Sequence, residues 1–230
     1  LLRKLLLTTA LALTVFLGAC GGAAKDPAPA APANPATTAA PAAPANIPTG
    51  MKRFVIKPAD SKVSYKVKET FLQKGNTLVE AVGVTQVLTG EILFDSAQPQ
   101  KSQVGEIKID IKAFKSDSER RDGKIQEQWL ESAKYPLATF KPTKIEGLPA
   151  AYKDGEEISL QIGGDLTVRT KTTPVTFETK GKIEGNKMSG LATTKVKMSE
   201  LGVEVPNVLN ILTVEDEFQI EFSFVAEAQN

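Results

Sequence analysis

Two acidic clusters, Glu156-Glu157 and Glu215-Asp216-Glu217, and one adjacent charge pair, Arg121-Asp122, are the side chains of this sequence best suited to chemistry. Paired carboxylates can hydrolyse a glycosidic bond, one as acid and the other as base or nucleophile. On that reading Glu156 or Glu217 would be required for turnover. Both clusters, however, fall at strand starts or in loops among lysines, where charge is ordinarily solvated. Arg121-Asp122 has two readings. Arg121 can donate to a ligand carbonyl or headgroup with Asp122 orienting it, or the two form a surface pair with Asp122 favouring a helical first turn. Charge pairs near helix ends are ordinary, which favours the second reading. The chain has no histidine and one cysteine. Histidine-based triads, His-ligated zinc or haem, and intrachain disulfides are therefore excluded. There is no Gly-rich phosphate loop, nucleophile elbow, Cys–His metal spacing or EF-hand pattern. A net charge of +1 gives no general attraction to nucleic acid.

The element that carries Arg121 and Asp122 is the stretch from Ser116 to Phe140. Ser116 followed by Glu119 has the form of a capping box. Ile125, Trp129 and Leu130 lie on one helical face, and Pro136 is expected to end the helix. This short amphipathic helix carries the single tryptophan and is a candidate lid. Around it the period is two. Val63, Tyr65 and Val67 alternate with polar residues, as do Ile107, Ile109 and Ile111. The pattern recurs in Ile158, Leu160 and Ile162, and in Phe218, Ile220, Phe222 and Phe224. Alternation gives each strand one apolar and one wet face. About eight such strands joined by short turns predict an all-β antiparallel barrel or sandwich. Long strands at Gly90–Asp95, Val104–Phe114 and Glu156–Arg169, and a turn at Glu184–Lys187, favour an extended barrel. Its interior is either a container for a long apolar molecule or a filled core, and periodicity does not separate the two.

The chain's start reads differently. Arg3 and Lys4 precede an apolar run from Leu5 to Leu17, the layout of a secretory signal, and too short for a span of about 20 apolar residues. It closes in Leu17-Gly18-Ala19-Cys20, similar to a lipobox, so Cys20 is the expected lipidation site. Residues 1–19 are then a lipoprotein signal peptide. Residues 20–50, rich in alanine, proline and threonine, are a disordered tether, and residues 51–230 are the β-domain. Extracytoplasmic localisation with a membrane anchor through acylated Cys20 is expected.

The folded part also resembles the YceI-like polyisoprenoid-binding proteins. The resemblance rests on Arg121-Asp122, Ile125, Trp129-Leu130, Tyr135-Pro136 and Phe140, and on Gly164-Asp165-Leu166-Thr167-Val168 with Thr173-Pro174-Val175-Thr176-Phe177. Tyr65–Glu69, Ala81–Thr85 and Thr89–Ile92 are similar to the early strands. It runs in order from about residue 52 to 227. Thr170-Lys171-Thr172 departs from it, standing where the family usually has a turn glycine. The resemblance implies a lipocalin-like antiparallel barrel with an elongated hydrophobic pocket. The pocket would hold a polyisoprenoid lipid, often a quinone or its precursor, with no catalysis and no cofactor. An isoprenoid tail is recognised by buried apolar area. The expected lining is therefore Val63, Tyr65, Val67, Ile92, Phe94, Ile107, Ile109, Phe114, Phe140, Leu166, Val168 and Phe177, closed by Trp129 and Leu130. Arg121 and Asp122 are candidates for the headgroup. The alternative is an envelope scaffold lipoprotein with a filled barrel; the oligomeric state, a homodimer included, is left open.

Overall fold

A computed structural model describes residues 47–229. The expected signal segment, Cys20 and most of the tether lie outside them. Thirteen strands follow in order: β1 (Met51–Ile56), β2 (Lys62–Phe71), β3 (Thr77–Thr85), β4 (Leu88–Thr89), β5 (Glu91–Asp95), β6 (Gln103–Val104) and β7 (Ile107–Asp110). After a helix, α1 (Glu119–Lys124), come β8 (Leu137–Glu146), β9 (Ile158–Val168), β10 (Lys171–Glu184), β11 (Lys187–Lys197), β12 (Asn207–Val208) and β13 (Leu212–Gln229).

All belong to one curled antiparallel sheet, whose main path runs β4-β7-β8-β9-β10-β11-β13-β1-β5-β6. The 18-residue β13 is its spine. One flank pairs with β11, and the other pairs first with β2 and then with β1. A register shift between Val214 and Phe218 bends β13, as a bulge does. β3 pairs only with β2. Its far edge meets the segment before α1 through one bridge, Val84 with Lys115, whose two amide bonds are 2.8 and 2.9 Å. The barrel read from the alternation, lipocalin-like in what the resemblance implies, is thus a wrapped sheet with one β-bridge along this seam.

Register fixes two poles. At one, Met51 pairs with Asp95 and Arg53 with Gln229, beside the tight turn at Gly185-Asn186. At the other lie α1, the β2–β3 turn, the β9–β10 turn and the loop from Ser199 to Ile211. The core runs between them, with Phe54 and Ala226 fully buried. Two glycines make room for rings: an added Cβ at Gly83 would lie 2.2 Å from Tyr65, and one at Gly190 2.6 Å from Phe224.

Several local expectations are corrected. Val104–Phe114 is not one strand. The Asp110 carboxylate accepts from the Lys112 amide at 2.8 Å and tightens Ile111–Ala113 into a 3-10 turn, a side chain competing with the ladder. The helix cap is Ser118, which accepts from Arg121 N, rather than Ser116. Ser116 is committed instead to Asp122, donating from Oγ at 2.6 Å. The helix continues as a π-turn over Ile125–Trp129 and ends there, with Glu131 in the left-handed region, well before Pro136. In the β9–β10 turn the left-handed residue is Arg169, with φ of 55°, just before Thr170-Lys171-Thr172, where the resemblance places a turn glycine.

A lidded apolar cavity

Inward alternation along β2, β9 and β13 leaves the interior apolar but incompletely filled. A cavity of about 890 Å³ occupies the lid half, near the top of the range of about 300–1,000 Å³ common for small-molecule sites. A second space of about 80 Å³ lies deeper and shares Val63, Ile109 and Ile220 with the first.

The expected residues divide between them. Val63, Tyr65, Val67, Ile109, Phe114, Trp129, Leu130, Leu166 and Val168 line the large cavity. Ile92, Ile107, Phe140 and Phe177 line the small one, with Val63 and Ile109 again. Phe94 lines neither. It is buried towards the opposite pole, edge-on to Tyr152 with ring centroids 5.3 Å apart. Periodicity cannot tell such a residue from its cavity-lining neighbours, because both point inward.

Residues not foreseen complete the walls. Phe218 and Ile220, which alternate but stand outside the expected lining, face the large cavity, and Phe222 and Phe224 face the small one. The loop from Val203 to Leu209 forms one side of the opening, and Arg120, Lys124 and Gln128 form another. These three are four residues apart, one stripe of the helix; that spacing was the available signal for them. The loop has no periodicity to reveal it.

Arg121 and Asp122 are not a surface pair. Asp122 is buried and accepts from Ser116 N at 3.0 Å as well as from Ser116 Oγ. Arg121 grips Glu69 of β2 through Nε and Nη2, both at 3.1 Å, and also bonds Ser116 and Asp117. Glu69, itself buried, was not singled out from the sequence. Hydrogen bonding and charge from Arg121 hold the exposed Asp117 carboxyl below its ordinary range. Tyr65 lies beside this cluster, its ring 5.5 Å from that of Phe114. Burial, reinforced by the charge of Asp122, pushes the Tyr65 hydroxyl up to about 12. Tyr65 is therefore a neutral phenol at any ordinary pH.

The far end of the lid is also tied down. Arg169 in the β9–β10 turn donates to the Trp129 carbonyl at 3.3 Å and pairs with Glu131. The helix is thus fastened across the pole by two arginines, Arg121 to β2 from its first turn and Arg169 to the residues at its end.

The carboxylates of the Glu215-Asp216-Glu217 cluster have structural partners. Asp216 accepts from Ser199 N and Oγ at 2.9 and 2.6 Å, which depress its pKa. Glu217 pairs with Lys195, and Glu215 lies 3.9 Å from Lys68. Glu156 stands near the β10–β11 turn, away from the lid pole; Tyr152 donates to both the Glu156 and the Ile183 carbonyls. The geometry suits enclosure of an apolar molecule.

A family model described as the YceI-like domain matches residues 54–226. Protein YceI of Escherichia coli O157:H7 is 32% identical over 129 residues, covering 53% of this chain and 63% of that protein. The chain thus spans just under two thirds of the length of the curated relatives it matches. BcnA of Burkholderia cenocepacia superposes with a TM-score of 0.58 at 24% identity, over 74% of this chain and 98% of that one. A polyisoprenoid binding domain from Saccharophagus degradans gives 0.60 at 14% identity, over 76% and 98%. At these identities the likeness concerns the fold, which in both cases makes up nearly the whole solved chain.

Proposed function

The chain belongs to the YceI-like family, and from that premise we propose that it binds a polyisoprenoid lipid, an isoprenoid quinone or polyprenyl precursor, for sequestration, storage or transport. The observation that carries this is the apolar cavity of about 890 Å³ under a two-point lid. At about 25 cal/mol per Å² of apolar surface, several buried isoprene units outweigh the costs of association. The naming of the Saccharophagus neighbour as polyisoprenoid-binding supports the ligand class. Arg121 is held by Glu69, Asp117 and Ser116, so the side chains that meet a headgroup are Tyr65 and the rim cations Arg120 and Lys124. The proposed setting is outside the cytoplasm, with Cys20 acylated. The protein performs no chemistry on its cargo and needs no cofactor.

Mass spectrometry of the protein isolated from its own organism, natively and after organic extraction, is the test. A stoichiometric prenyl lipid is expected, and Leu166→Trp, which projects a bulky ring into the cavity, should lower it sharply while leaving the circular dichroism spectrum intact. A protein that is empty and takes up no added quinone overturns the proposal and leaves the scaffold reading.

A further inference from the structure

The large exposed apolar side chains of the described residues are unevenly distributed. Six of the ten, Leu72, Leu78, Val79, Val208, Leu209 and Ile211, lie at the lid pole. They project from two neighbouring hairpins, β2–β3 and β12–β13, joined by a 2.9 Å bond from Leu72 N to Ile211 O. Leu209 is 81% and Leu78 59% exposed. Such a patch on a soluble surface marks an interaction site. Val208, Leu209 and Ile211 are also part of the cavity lining, so the patch continues into the cavity.

In the cavity lining beside the patch, basic side chains outnumber acidic ones. Arg120 and Lys124 stand on the opposite rim, without an ion-pair partner among the described residues, and Lys74 lies at the β2–β3 turn with its ammonium 5.5 Å from the centre of the Phe71 ring. Of the two acids in the lining, Glu69 is taken by Arg121, which leaves Glu204. Apolar side chains flanked by cations fit a bilayer interface with anionic headgroups, where the former enter the acyl boundary and the latter meet phosphate. The geometry points to the lid pole as a membrane-docking face, seated on an anionic bilayer by the Leu209–Ile211 and Leu72–Leu78 tips. The assignment rests on the lipid-cargo reading for its purpose: a docked mouth lets an isoprenoid pass between bilayer and cavity without crossing water.

Flotation of residues 47–230 with phosphatidylcholine vesicles, with and without phosphatidylglycerol, tests it. This fragment carries the whole described core and lacks Cys20, and in the solved relatives the fold forms nearly the entire chain. The domain should float with anionic vesicles. Leu209→Glu combined with Ile211→Glu should lower the bound fraction by at least about tenfold. Arg120→Ala and Lys124→Ala should each lower it about fivefold. Leu191→Glu, an exposed apolar position on β11 outside the patch, should change nothing, and Leu72→Glu combined with Leu78→Glu, at tip positions outside the cavity lining, should weaken flotation while keeping the full prenyl content. Failure of the unmodified domain to float overturns the assignment, as does equal flotation of the tip variant. A dimer that the tip substitutions convert to monomer, with no vesicle binding, also overturns it by making the patch a contact between copies. An empty cavity with tip-dependent flotation instead sinks the cargo reading and keeps the docking face.

Discussion

Glu69 and Arg121 show what one pair of residues does here. Both nitrogens of the fork meet a carboxylate that is almost wholly buried, so removing either partner strands the other. Arg121→Ala should cost about 1–3 kcal/mol, the penalty for a buried polar group left unpaired, measured as a lower urea midpoint. Glu69→Gln, which keeps an acceptor, should cost less. Tyr65 supplies a pH prediction. Its folded-state pKa of about 12 lies above the ordinary value of 10.0. The stabilisation it contributes is complete below pH 10 and is lost as pH rises through 12. Absorbance titration of phenolate should show a late phase near pH 12, and Tyr65→Phe should remove that phase. Arg121 was legible as a polar residue at a helix start. Its partner was not, because nothing in a linear sequence couples residues 52 positions apart.

The lid is the element whose mobility matters most. It is short, and a helix of this length has little stability of its own, so its two ties set how often it opens. Arg169→Ala should raise hydrogen exchange across residues 119–131 by an order of magnitude or more, with little change in the strands. Exchange rates unchanged there would show that Arg169 is not the latch. The helix itself was legible from Ile125, Trp129 and Leu130, but its cap was read at Ser116 instead of Ser118 and its end was misplaced. Pro136 is the strongest stop signal in the segment, yet the π-turn and the left-handed Glu131 end the helix first. Arg169 could not be read as a latch, because a turn that lacks its expected glycine reveals only that something unusual holds it.

At the scale of the molecule the alternation was a sound guide to the sheet, since inward Val63, Val67, Ile107, Leu166 and Phe177 are buried as their spacing required. It does not report empty volume. Phe94 and Phe140 alternate alike, yet only Phe140 borders a cavity. Packing is close where rings lie over glycines. Gly190→Ala would drive a methyl group into the Phe224 ring and the Lys180 carbonyl, and should cost about 1–3 kcal/mol, readable as a lowered melting temperature. The unfilled half lies under the lid, and there the chain has placed its single indole. Trp129 therefore makes the unmodified protein its own optical probe. Intrinsic emission comes from one position on the cavity wall, so a quinone entering should quench it in proportion to occupancy, while a saturated prenyl analogue should shift its colour without quenching. The same signal, followed in time, would report how fast the lid lets cargo in and out.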